Sequence, residues 1–377
     1  MSTDRAYNID VLVTCGRYTH QIICSLAEAG LAVWAADSIP SAVKYSKYVK
    51  GYTITPDYNI DEDAYISKLL EVIEAIKPRV IIPVFDVKII SRHKHEFPDT
   101  IIIPVDDYEK IELLDNKQKF LSFAQSIGIP MPDFLSSINE IDEYPVVVKF
   151  PYGRSGSGVK IINSPVDLDI ISDKLSKDYY ITRFIKGTDY CVDCVRGDGF
   201  FQSSVYKCVP KSISQSGPST CRVIVKRDDI SEYAAKILDA LQYKGVCGFD
   251  FRVDENGQAF LLEANPRYTG GLGTHLASGF NIPFIHYELA IGESPAFSSI
   301  THGASTKSFW GSLGLAYKKI TDENVCNYRL ADDLNLKTDI FDDIKKEDVK
   351  PFIFQILINK RRFLTVLLYY LFRIRLK

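Results

Sequence analysis

The sequence predicts a parallel α/β domain followed by an α+β half, and three observations carry that expectation. Short apolar runs alternate with amphipathic helical stretches up to about residue 108. Beyond it, strand-like segments follow one another with few helices between them. The 377 residues are enough for two or three domains, each able to bury a core.

In chain order, residues 9–14 (IDVLVT) read as a buried parallel strand, followed by a turn at Gly16 and a helix over 19–29 with apolar Ile22, Ile23, Leu26 and Ala27. Gly30 ends that helix, and residues 31–36 form a second strand closing at Asp37. A helix over 61–76 leads through Lys77 and Pro78 into a third strand, 80–84, which runs out at Phe85 and Asp86. A dinucleotide site is excluded: the first turn, TCGRYTH, has one glycine where pyrophosphate binding needs three. After residue 110 a helix carries Asn116 to Phe120 and stops at Gly128-Ile-Pro-Met-Pro. Strands are expected at 146–150, 159–162, 179–185, 190–195 and 200–208. A helix over 231–241 precedes strands 246–253 and 259–263, joined by the turn Asp254-Glu-Asn-Gly257. No internal repeat is visible.

Charge excludes a dedicated nucleic-acid binder: 45 Lys+Arg stand against 48 Asp+Glu. The balance is uneven, because residues 351–377 carry six bases and no acid, which leaves residues 1–350 at −9. The polar start lacks the apolar core of a secretory signal, and no run reaches the 18 or more apolar residues that span a bilayer. The cytoplasm, with reduced thiols, is the expected compartment. Cys191 and Cys194 form a CxxC, but in a strand an offset of three puts the sulfurs on opposite faces, so core packing is expected rather than zinc.

Two segments carry chemistry. Lys149 closes the apolar strand VVVK and is followed by Gly153, Ser155, Gly156, Ser157 and Gly158. Such a loop lets backbone N–H groups approach an anion, and the lysine is placed to meet phosphate oxygens. It is not a P-loop, since GxxxxGK[ST] is absent and a strand follows. The second segment holds Asp250, in Gly-Phe-Asp-Phe, and Glu263, on the other arm of the hairpin, with Asn265 and Arg267 just beyond. Acids at inward strand positions need a cation, and two converging carboxylates with a carboxamide oxygen form an all-oxygen set suited to Mg²⁺. Arg267 offers a rigid fork to a phosphoryl group or carboxylate, and Gly270 and Gly271 continue that wall with exposed amides. Substrate contacts are expected at the carboxyl edge of the first sheet (residues 15–18, Asp37 and Asp86) and in the polar stretch 207–222, where Arg222 is a better candidate than Lys211.

On these residues the sequence resembles the ATP-grasp superfamily, in the branch of biotin carboxylase and carbamoyl phosphate synthetase. The resemblance runs from about residue 8 to about residue 300, and GFDFRVDENGQAFLLEANPRYTGGLG is its most specific stretch. It implies a pre-ATP-grasp α/β domain over 1–108 and a two-lobed ATP-grasp fold over 109–310, with a small lid at about 117–185. A C-terminal segment over 311–350, with an acidic linker, and a basic apolar tail helix over 351–377 complete the chain. It further implies that Lys117 and Lys149 contact the nucleotide and that the Gly153 to Gly158 loop closes on the triphosphate. Arg183, Phe184 and Ile185 would form the adenine hinge, and Asp189 would meet the ribose. Thr182 stands where many relatives have a glutamate. Asp250, Glu263 and Asn265 match the Mg²⁺ ligands, with Mn²⁺ as an alternative ion, and Arg267 matches the arginine beside the acyl phosphate. The activity so implied is ATP-dependent joining of a carboxylate to an amine, with release of ADP and phosphate. A kinase or carboxylating use of the site, and a non-catalytic nucleotide sensor, are the alternatives. One such unit is present where carbamoyl phosphate synthetase has two. For the tail, packing on the body or across a homodimer stands against an interfacial helix on an anionic membrane with aromatics at headgroup depth.

Overall fold

The computed structural model describes residues 8–14, 16, 19–39, 41–153, 158–167, 179–209, 219–321 and 340–372. The first sheet is parallel, with β1 (Ile9–Val13), β2 (Val33–Asp37), β3 (Val49–Ile54) and β4 (Pro78–Ile82) in the order β3-β2-β1-β4. Helices cover it, so β1 is apolar apart from Asp10, with Val11, Leu12 and Val13 fully buried. The helix Glu62–Ile76 starts where Asp61 accepts from the Ala64 N–H and stops at Lys77, held at φ 48°. Pro78 then opens β4, at the first strand position, where a missing N–H is tolerated. The sequence reading found three of these strands. It missed β3, an edge strand reached from β2 through only a short 3₁₀ turn at Ala42–Tyr45, without the helical crossover that marks a parallel connection.

The second sheet is small and antiparallel: β5 (Phe134–Leu135), β6 (Val146–Lys149), β7 (Val159–Ile162) and β8 (Tyr180–Arg183), in the order β5-β8-β6-β7. Val146, Val148, Ile162 and Ile181 form its core, and alternation turns Val147 and Lys149 to the other face. The third sheet is also antiparallel. It contains β9 (Gly187–Gly197), β10 (Phe200–Cys208), β11 (Cys221–Val225), β12 (Gly245–Asp254), β13 (Ala259–Asn265) and β14 (Ser305–Lys307), in the order β13-β12-β9-β10-β11-β14. Phe249 and Phe251 anchor β12 from its buried face, where Phe120 and Tyr233 lie against them at centroid distances of 6.0 and 6.2 Å. Arg222 therefore belongs to a strand, β11, and not to a solvated loop.

The helix Ile282–Ala290 ties the third sheet to the first: Phe280, Ile282 and Ile285 share one core with Val11, Val13 and Ile22. At the C-terminus the expected single tail helix is two, Lys350–Ile358 and Lys360–Phe372, divided at Asn359. Val366 and Tyr369 pack into a satellite core with Phe309, Leu313, Ala316 and Ile320. The acidic linker has specific partners where it is described. Asp343 accepts from the Phe309 and Trp310 N–H groups at the start of the helix Phe309–Thr321, and Asp348 accepts from the Lys47 N–H and contacts His20 Nε2 at 2.9 Å.

His286, inside the junction of the two sheets, sets an acid limit on stability. Its Nε2 lies 3.0 Å from the Pro104 carbonyl, which can only accept, so that nitrogen carries the proton and Nδ1 accepts from the Tyr268 hydroxyl. Burial pushes this imidazole from 6.5 down to about 4. The unfolded chain takes up a proton near pH 6.5 that the folded chain refuses until about pH 4. Stability is thus intact above 6.5 and falls as pH drops through that window, by on the order of 3 kcal/mol. Urea unfolding at the two ends of the window should show this loss, and His286→Gln should lose correspondingly less. Equal losses in the two proteins would rule the residue out.

Candidate active site

The cleft lies between the small antiparallel sheet and the cleft face of the third sheet. Alternation decides what faces it. On β12, Phe249 and Phe251 point into the core while Asp250 and Arg252 line the cleft. On β13, Glu263 and Asn265 do the same, and the ladder pairs Asp250 directly with Glu263 and Gly248 with Asn265. Burial and the facing Glu263 carboxylate push the Asp250 carboxyl well up. Its neighbours are the Cys191 thiol and Asn265 Nδ2, the latter at 3.5 Å, and among the described residues no lysine or arginine pairs with it. Glu263 meets Lys117 Nζ at 3.3 Å. Two apposed carboxylates and a carboxamide, one carboxylate lacking a cation, fit a hard divalent ion. The Asn265 oxygen also accepts from Arg267 Nη2 at 2.7 Å, which fixes both side chains. Arg267 stacks over the Phe85 ring at 4.7 Å, so the first domain supports the site from below.

Lys117, the first residue of the helix Lys117–Ser126, is buried and donates to the Gly153 carbonyl at 2.7 Å. Lys149 is buried at the end of β6 and faces the cleft, and desolvation lowers its ammonium to about 8 despite Glu263 nearby. Val147, Val159 and Ile161 on the hairpin side, with Phe184, Ile185 and Leu262 opposite, make an apolar slot. At its back lies the Thr182 hydroxyl, buried and without a partner among the described residues. The Arg183 N–H donates to the Asp133 carbonyl, and the Ile185 carbonyl accepts from Arg252. Asp189 is held by Arg252 Nε at 2.5 Å across the β9–β12 ladder. Gly158 closes the far end of the loop, while Ser155, Gly156 and Ser157 lie outside the described residues, as do Cys15, Arg17, Tyr18 and Lys211.

Arg222 lines the cleft as expected, braced by the Ser219 carbonyl at 2.7 Å and Asp342 at 3.2 Å. Asp86 does not line it. The carboxylate is enclosed by the Thr14 and Tyr65 hydroxyls and the Val84 N–H and is 1% exposed, so the proposed substrate contact becomes a buried node. Gly270 reaches the cleft, but the Gly271 amide donates to the Thr269 hydroxyl. Glycine is required there because a Cβ would sit 2.1 Å from the Tyr206 ring. The CxxC divides as expected: Cys191 faces the cleft and Cys194 is fully buried. Sequence reasoning missed Arg252, Phe85 and Asp342. Arg252 was findable, since it is two residues beyond Asp250 on the same strand face, whereas Asp342 lies 120 residues from the arginine it holds.

Residues 176–309 match the family described as ATP-grasp in the biosynthetic pathway with Ter operon. The carbamoyl phosphate synthase large chain of Thermotoga maritima is 24% identical over 242 residues, 57% of this chain and 22% of that one. The chain thus spans about a fifth of the length of such relatives. Among solved structures, N5-carboxyaminoimidazole synthetase from Staphylococcus aureus in complex with ADP superposes with a TM-score of 0.65 at 18% identity, covering 80% of this chain and 83% of that one. The biotin carboxylase domain of Hydrogenobacter thermophilus 2-oxoglutarate carboxylase, with MgADP, ADP and bicarbonate, gives 0.63 at 16% identity over 79% and 73%. The two-carboxylate hairpin thus lies inside the region, residues 176–309, that matches an ATP-grasp family, and the chain around it has the fold of these ATP-grasp structures.

Proposed function

We propose that this protein is an ATP-dependent ligase that activates a carboxylate as an acyl phosphate and joins it to an amine. The observation that carries the reading is the convergence on one cleft of Asp250, Glu263 and Asn265 with Lys149, Arg267 and Arg222. The apolar slot suits a purine ring, and the unpartnered Thr182 hydroxyl offers a hydrogen bond to its edge. Lys149, which lines the cleft, and Lys117, beside Glu263, would meet the phosphates. Asp250, Glu263 and Asn265 would hold Mg²⁺, which supplies neutralisation of phosphate charge. In the first step a carboxylate oxygen attacks the γ-phosphorus and the bond to ADP breaks, giving the acyl phosphate. In the second, an amine attacks the acyl carbon, inorganic phosphate leaves and the amine loses a proton. Arg267, held by Asn265 and the Tyr268 carbonyl, stabilises the oxygens of both steps without reorganising. Arg222 offers a second fork to an anionic group on either substrate. Rate enhancement in this scheme comes from positioning and charge rather than a side-chain nucleophile. The reading takes the C-terminal helices, and no spanning segment, as the part of the chain that would meet a membrane.

The deciding measurement is ADP and phosphate release from Mg·ATP across amino acids, sugar acids and small carboxylates, each with and without amines. Bicarbonate belongs in the panel, because a carboxylating use of the same cleft is the alternative and the Hydrogenobacter domain is seen with that anion. Release should require one carboxylate and one amine, and Glu263→Gln should lower it at least about 100-fold. Nucleotide binding without release under every combination would overturn the ligase reading in favour of a sensor.

Lys149 gives a pH signature. It must be protonated to hold phosphate, and in the free protein it loses its proton at about 8. Affinity for ATP should therefore weaken about tenfold from pH 7 to pH 9. Lys149→Met should bind more weakly throughout and show a flat profile over that range. A flat profile in the unmodified protein would remove Lys149 from the phosphate site.

A further inference from the structure

The two C-terminal helices keep a face that the fold does not use. Their inner side is well packed: Phe352 lies against Phe309 and Trp310 at 5.1 and 5.5 Å, Phe354 against Tyr45 at 4.5 Å, and Val366 and Tyr369 are buried. The outer side nevertheless carries Ile353, Leu357 and Ile358 at 52, 63 and 60% exposure, and Leu364 and Leu367 at 47 and 37%. Ile353 and Leu357 are one turn apart, as are Leu364 and Leu367, so each helix presents a defined apolar strip and not scattered residues. Between the strips stand Lys360 and Arg361, both exposed and one turn before Leu364, while the neighbouring Arg362 reaches over the Tyr317 ring at 5.9 Å. The sequence adds Arg373, Arg375 and Lys377 beyond, and residues 351–377 hold no acid at all.

We infer that this outer face docks on the surface of an anionic lipid bilayer. The patch asks for apolar depth and negative charge together, and an anionic membrane surface provides both. A second copy bound face to face would set two +6 segments against each other, with no acid on either side to pair them. Helices of 9 and 13 residues are too short to cross a bilayer, and among the described residues no helix is long and apolar enough to do so. They lie on the surface instead, with depth supplied by isoleucine and leucine. The aromatic residues expected at headgroup level are largely committed inward, as Phe352 and Phe354 show.

Co-sedimentation of the full chain with phosphatidylcholine vesicles, with and without phosphatidylglycerol, tests this. The protein should pellet with the anionic vesicles only and be released by salt. Leu357→Asp and the double variant Lys360→Glu/Arg361→Glu should each weaken binding about tenfold or more. Both alter exposed positions, and unchanged circular dichroism would show that the fold persists; Leu364→Asp serves if Leu357→Asp does not fold. Failure to pellet with anionic vesicles overturns the inference, as does pelleting that survives both changes. A dimer in light scattering that Leu357→Asp abolishes, without vesicle binding, would give the face to a second copy.

Discussion

The arrangement on which the rest of the structure depends is the apposition of Asp250 and Glu263 across the β12–β13 ladder. Two carboxylates about 5 Å apart repel by on the order of 3 kcal/mol at the effective dielectric near a protein surface. Nothing in a two-stranded hairpin would hold them there. Phe249 and Phe251, fully buried on the opposite face, fix the strand, and Lys117 reaches in from the helix Lys117–Ser126, packed against β13, to neutralise one carboxylate. Asp250 is left facing the cleft with its carboxyl pushed up, a strain that a bound divalent cation would relieve. The core around β12 is thus what keeps apposed two carboxyl groups that would repel if both were ionised.

A second layer of acids does the opposite work and is fully satisfied. Asp342 accepts from Thr306 at 2.7 Å and meets Arg222, while Asp343 holds a helix start and Asp348 clasps the first domain. The segment around residues 340–348 therefore closes the molecule by connecting the central sheet, the first sheet and the last helices. Arg222 can face the cleft because its guanidinium is oriented from behind by a residue that the chain supplies only after the ATP-grasp fold is complete.

This division also explains what could be read in advance. Strand alternation is local, so the inward positions of Asp250, Glu263 and Asn265 on one hairpin, and of Lys149 at the end of its own apolar strand, were legible in the sequence. So could the helix beginning at Lys117, announced by Asn116, whose side chain accepts from the Lys119 N–H. Partners far along the chain were invisible. Asp86 looked like a carboxylate at an open strand end, because nothing near it in sequence reveals the Thr14 and Tyr65 hydroxyls that enclose it. Gly271 looked like an exposed amide, since the Tyr206 ring against it comes from another strand. The tail read as one helix because composition does not show that Asn359 divides it, nor which faces Phe309 and Tyr45 cover.

Charge gives a final constraint on what enters the cleft. Its lining holds five cationic side chains, Lys149, Arg183, Arg222, Arg252 and Arg267, against Asp189, Asp250 and Glu263. The protein is acidic overall, at −3, so this clustering of cationic side chains is local and not a reflection of composition. Low-dielectric walls concentrate such a field inside a cleft. Arg183, Arg222 and Arg252 are paired with Asp142, Asp342 and Asp189, which moves the positive potential inward, toward Lys149 and Arg267. A neutral ligand would gain nothing from that gradient. An anion that is apolar at one end would be oriented by it, with its ring in the slot and its charge against the carboxylate pair and whatever cation that pair holds.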